Sequence, residues 1–86
     1  MKYDFIILGA DGIQGSIVAK YLFEKGYHVL CTDIAQLRTK NLIESYKKLA
    51  SFQIIDVRDT DRMVGAIQKS GADVVINCAE GNWNLN

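Results

Sequence analysis

The sequence predicts an α/β fold: four short parallel strands in the order 3-2-1-4 with helices on both faces, part of a doubly wound sheet. Three observations predict it. Short apolar runs alternate with stretches whose apolar residues recur at helical spacing. The first strand-to-helix junction, "ILGADGIQGS", carries Gly9, Gly12 and Gly15 at equal spacing. An aspartate, Asp33, ends the second apolar run eighteen residues after Gly15.

Each element follows from its residues. "YDFIIL" (Tyr3–Leu8) is an apolar run stopped by glycine, the pattern of a strand buried on both faces. From Gln14 to Lys25, Ile17, Val18, Tyr21 and Leu22 recur at helical spacing, and Gly26 is the stop. "YHVLCTD" (Tyr27–Asp33) is a second strand. Leu42, Ile43, Tyr46, Leu49 and Ala50 mark one face of a second helix that starts near Ala35–Arg38. "FQIIDV" (Phe52–Val57) is the third strand. Thr60 is expected to cap a third helix carrying Met63, Val64 and Ile67, and Gly71 to end it. "DVVINCA" (Asp73–Ala79) is the fourth strand. Strands alternating with helices in this way require right-handed crossovers in a parallel sheet.

Composition bounds the function. The 86 residues suffice for one small domain. Ten Lys and Arg balance ten Asp and Glu, and no basic cluster exceeds Lys47–Lys48, so no nucleic-acid partner is expected. The apolar runs are far below the roughly 18 residues of a membrane span, so no membrane is expected either. "MKYDFIIL" lacks the apolar core and cleavage site of a secretion signal. Cys31 and Cys78 lie far apart in apolar runs and read as reduced core thiols, so the expected localisation is cytoplasmic.

The glycine loop has the context that a phosphate-binding loop requires, a strand before it and a helix after it. Gly9 lets the chain turn off the strand, Gly12 removes a side chain where backbone would approach a diphosphate, and Gly15 lets the helix lie close on the sheet. The first-turn amides and the helix dipole then face the anion. The alternative is a glycine-rich turn with no ligand. Asp33 is placed to accept from the adenosine ribose hydroxyls and to repel a 2′-phosphate, which favours NAD over NADP. Asp33 could instead, or also, cap the next helix. Arg38 could serve a 2′-phosphate but reads as a surface residue of the second helix. In "DVRD", Asp56 is placed to accept from an adenine amino group with the Val57 backbone beside the ring, or else it is only a polar strand end. Asn77, Cys78 and Ala79 leave the fourth strand at the same crevice, small enough for a dinucleotide to pass. The fold expected is therefore Rossmann-like.

"ILGADGIQGSIVAKYL", "TDI", "DVRD" and "DVVINCAEGNWNLN" together resemble the N-terminal half of saccharopine dehydrogenase-like oxidoreductases. The resemblance spans nearly the whole chain. It implies a cofactor site of Gly9, Ala10, Asp11, Gly12, Ile13, Gln14 and Gly15 at the diphosphate, with Asp33 and Ile34 at the ribose. Asp56 and Val57 would lie by the adenine, and Asn77, Cys78 and Ala79 on the path to the nicotinamide. Three departures qualify it. The loop reads GxxGxxG, the spacing of extended short-chain dehydrogenases, which are the rival family. Asp11 puts a carboxylate inside an anion-binding loop and must point outward. Glu80 stands where the saccharopine dehydrogenase group often has proline.

No catalytic residue is expected. Tyr21 and Lys25 have the YxxxK spacing of a short-chain dehydrogenase acid/base pair, but they fall at the far end of the first helix, and Tyr21 reads as core. His28 begins the second strand, away from the crevice, and Trp83 follows the fourth. The expectation is a truncated or excised cofactor domain of an oxidoreductase, lacking the substrate half and inactive by itself. Two alternatives are a non-catalytic nucleotide sensor, of the kind that regulates potassium transport, and an unstable remnant that binds nothing. Without further strands, the fourth strand has an apolar edge through which some self-association is expected.

Overall fold

The computed structural model describes residues 2–79. Along the chain run β1 (Phe5–Leu8), α1 (Ile13–Glu24), β2 (Val29–Asp33), α2 (Lys40–Ser45), β3 (Ala50–Ile54), α3 (Thr60–Ser70) and β4 (Val74–Asn77). The sheet has the order β3-β2-β1-β4, and each pairing is parallel. Phe5 stands opposite both Val29 and Val74, which aligns the ends of the three strands. This is the order expected from the alternating pattern.

Strand periodicity sends alternate side chains to two cores. Ile7, Val29, Cys31 and Ala50 meet Ala19, Leu22 and Phe23 of α1, with Leu42 and Ile43 of α2 and its C-cap Tyr46 packed at the margin. Ile6, Leu8, Leu30 and Ile55 meet Met63 and Ala66 of α3 on the opposite face. Phe23, 2% exposed, stacks on Tyr46 with ring centroids 5.2 Å apart. Burial of a side chain that size contributes about 1.5–3 kcal/mol.

Several expectations are corrected. The buried side of α1 is Gly15, Ala19, Leu22 and Phe23, whereas Ile13, Ile17 and Tyr21 form an exposed stripe. Tyr21 is 58% exposed and lies under the Lys25 ammonium, so it is not core. Helix α2 is six residues long and begins at Lys40, because the amides of residues 37–39 are engaged by a side chain elsewhere. Ala50 belongs to β3, opposite Val29, rather than to that helix. Asp59, not Thr60, caps α3, its carboxylate accepting from the Arg62 amide. Gly71 ends α3 in the left-handed conformation, as expected.

Cys31 is fully buried, and burial pushes its thiol up to about 12. Cys78, just after β4, is half-buried and packs at the margin of the α1-side core; neither is in a disulfide. The His28 imidazole lies 3.8 Å from the Asp4 carboxylate, which also accepts from the His28 amide. Glu80 and Trp83 lie outside the described residues.

Candidate functional site

The C-terminal ends of all four strands open on one cavity of about 690 Å³. Gly9, Asp11, Gly12, Asp33, Ile34, Asp56, Val57, Cys78 and Ala79 line it. Five other expected site residues do not. Ala10 is buried in the core, and Gly15 is buried beneath the loop. Ile13 and Gln14 are exposed in the first turn of α1. Asn77 turns back, its side-chain oxygen accepting from the Ala79 amide at 3.0 Å.

The three glycines differ in what they do. Gly9 has φ +81°, and a Cβ there would lie 2.5 Å from the Ala79 nitrogen and 2.7 Å from the Cys78 carbonyl carbon. It thus makes the turn and also admits the end of β4. A Cβ on Gly15 would lie 2.7 Å from the Ala10 Cα, so this glycine seats α1 on the loop. Gly12 is different. It has an ordinary φ of −77°, and among the described residues its Cβ would meet only the Gly9 carbonyl oxygen, at 3.6 Å. Among the described residues, only the preference of an N-cap for glycine over alanine bears on Gly12. It is the N-cap of α1 and makes no side-chain cap, and the first turn carries no acidic residue.

Asp11 does not face an anion at the loop. Its carboxylate, in a residue 8% exposed, accepts from the Leu37 amide at 2.7 Å and the Arg38 amide at 3.0 Å. It also accepts from the Thr39 amide at 2.9 Å and the Thr39 hydroxyl at 2.7 Å. Burial alone would push this carboxyl up. The Thr39 hydroxyl and the three amides outweigh burial and hold it below the usual carboxylate range. Asp33 accepts from the Asp11 amide at 2.8 Å and from the Ile34 amide at 2.7 Å. It does not cap α2, whose N-cap is Thr39. Arg38 lies in the loop before α2, lining the cavity, and not on the helix.

On the β3 side, Asp56 is held by Arg58 through Nε at 3.0 Å and Nη2 at 2.7 Å. These hydrogen bonds bring its carboxyl down to about 2. An adenine amino group would therefore have to share Asp56 with Arg58. Thr32, Ala35, Leu37, Ile55, Arg58 and Met63 complete the lining and were not anticipated. Arg58, two residues from Asp56 in "DVRD", could have been read as its partner; the Asp11–Thr39 contact spans 28 residues and leaves no local signal. Among the described residues no group of three or more His, Cys, Asp or Glu could hold a metal ion. No helix there is long and apolar enough to cross a membrane.

Comparison with known proteins matches the fold and identifies a family. A UDP-glucose-4-epimerase from Stenotrophomonas maltophila, solved with bound NAD and formylated UDP-arabinopyranose, superposes with a TM-score of 0.76. It is 23% identical to this chain, and the match covers 93% of this chain and 25% of the epimerase. The likeness establishes the Rossmann-like fold. A probable low-salt glycan biosynthesis reductase of Haloferax volcanii is 30% identical over 73 residues, which cover 85% of this chain and 22% of the reductase. The chain thus spans about a quarter of the length of the proteins it matches. Residues 5–86 match the NAD dependent epimerase/dehydratase family. That is the side of the rival raised by the GxxGxxG spacing. The chain belongs to the NAD dependent epimerase/dehydratase family.

Proposed function

We propose that this chain is the NAD-binding part of an epimerase, dehydratase or reductase, and that the cavity at the strand ends is the cofactor site. The observation that carries it is Gly12. Its described neighbours would tolerate a side chain and its φ is ordinary, so close approach of a ligand, beside the preference of an N-cap for glycine over alanine, is the reason for one. The residues fit the cofactor. A diphosphate would lie against the Gly9–Gly12 turn and the first amides of α1, which no side chain caps. The ribose would lie on Asp33, the adenine by Asp56 and Val57, and the nicotinamide arm along Cys78 and Ala79.

When bound, the nicotinamide supplies a hydride acceptor or donor. The described residues bind and orient it, and none is assigned a catalytic proton transfer. The two relatives, a UDP-glucose-4-epimerase and a probable glycan biosynthesis reductase, support a carbohydrate-linked substrate. The saccharopine dehydrogenase-like resemblance leads to the same crevice and cofactor; the family match favours the epimerase/dehydratase side.

NAD is the preferred cofactor because Asp33 would face a 2′-phosphate with a like charge. Calorimetric titration with NAD and NADP tests this, with Asp33→Ala in parallel. The expected result is tighter binding of NAD, weakened by about tenfold or more in the variant, since a hydrogen bond to a charged group is worth roughly 1.5–3 kcal/mol. A folded chain that binds neither nucleotide would overturn the proposal.

A further inference from the structure

One buried charge serves no purpose in the cofactor site as described so far. Asp11 sits inside the glycine loop, yet its carboxylate collects three consecutive backbone amides, Leu37, Arg38 and Thr39, and the Thr39 hydroxyl. Successive amides converging on one point form a nest, an arrangement that binds anions. Here the anion is internal. The amide of Asp11 meanwhile donates to Asp33, at the start of the same connection. One residue of the loop therefore fastens the β2–α2 connection at both its beginning and its end. Between those points lie Ile34 and Ala35, and Leu37 and Arg38 line the cavity with them.

We infer that Asp11 is a positioning residue for cofactor choice: its carboxylate holds the β2–α2 connection in shape and occupies the amide nest beside Arg38, which a 2′-phosphate would otherwise use. The inference rests on the cavity being the NAD site and goes beyond it. Asp33 repels the 2′-phosphate directly, and Asp11 denies it donors. With the nest filled, the one cation of the connection, Arg38, is left without the amides that would complete a phosphate site. With the nest vacated, three amides are left without their acceptor beside Arg38, a residue of the cavity lining.

The test is the ratio of NAD to NADP affinity in the wild-type chain, Asp11→Ala and Asp11→Asn, measured by calorimetry with each nucleotide. A residue that served only stability would weaken both nucleotides alike. Asp11→Ala is expected to weaken NAD and spare or improve NADP, so that the ratio falls by about tenfold, the scale of one charge-assisted hydrogen bond. Asp11→Asn, whose side-chain oxygen can still accept from the nest, is expected to keep the ratio within about threefold. Amide hydrogen exchange without nucleotide supplies a second readout. Residues 37–39 should be protected in the wild type and exchange faster in Asp11→Ala, with β1 and β2 unchanged. An unchanged ratio in Asp11→Ala, or unprotected amides at 37–39 in the wild type, would overturn this inference while leaving NAD binding intact. A wild-type chain that binds neither nucleotide would overturn the cofactor site and this inference with it.

Discussion

The two halves of the crevice are built differently. On the glycine-loop side, β1 and β2 are paired on both edges, and Ile6, Ile7, Val29 and Cys31 are fully buried. There the loop is fastened by Asp11 and Asp33 to the connection that follows β2. On the other side, β4 pairs only with β1 among the described residues, and Val74 and Val75 remain 44% and 43% exposed. The acidic group on the β3 side, Asp56, is held by the amide and the exposed guanidinium of one residue, Arg58. The same β-α alternation thus yields a rigid wall where strands are central and an open one where they lie at an edge. The side at β1 and β2 carries its own internal hydrogen bonds.

The comparison breaks most severely at Gly15. A methyl group there meets backbone at Ala10 and Gly9, which cannot yield as a side-chain tip can. Gly15→Ala should cost about 3 kcal/mol, a large share of the roughly 4–13 kcal/mol available to a domain this size. Chemical denaturation measures it, and a loss below about 1 kcal/mol would show that the loop side is less rigid than described.

The open side should respond in association before it responds in stability. Among the described residues the outer edge of β4 has no strand partner and carries exposed valines, so concentration-dependent self-association is expected in analytical ultracentrifugation. Val75→Lys should suppress it and change the unfolding free energy by no more than about 0.5 kcal/mol. A wild-type chain that stays monomeric at high concentration would remove this contrast.

The smallest effect is expected at Arg58. In Arg58→Ala, the Asp56 carboxyl should rise from about 2 toward its ordinary 3.8, followed by NMR titration. A carboxyl held low in the folded state adds stability that is full above the unfolded value and lost as pH falls toward the folded one. Any change therefore belongs to the acid range between about 4 and 2, and the melting curve at neutral pH should not move, because the pair is solvent-exposed.

What the sequence disclosed divides along the same line. The strand order, the turn at Gly9, the seat at Gly15 and the position of Asp33 were legible, because each depends on neighbours in sequence or on the alternating period. The buried face of α1 was not. Ile13, Ile17 and Tyr21 form an apolar stripe as convincing as the buried one, and the small residues Gly15 and Ala19 decide which side meets the sheet. The short α2 was hidden for another reason. Nothing near Leu37 or Thr39 announces that Asp11, 26 and 28 residues away, will take their amides. The presence of a carboxylate in an anion loop was a clue that it must turn elsewhere, without showing where.

The most direct measurement is made on Gly12, the one glycine of the loop whose added side chain would make only an ordinary contact among the described residues. Gly12→Ala should cost no more than about 1 kcal/mol, the scale of an N-cap change, a fall of roughly 4–8 °C in melting temperature, and bind NAD at least about tenfold more weakly. A fall in melting temperature comparable to that of Gly15→Ala, or NAD affinity equal to the wild type, would contradict the account.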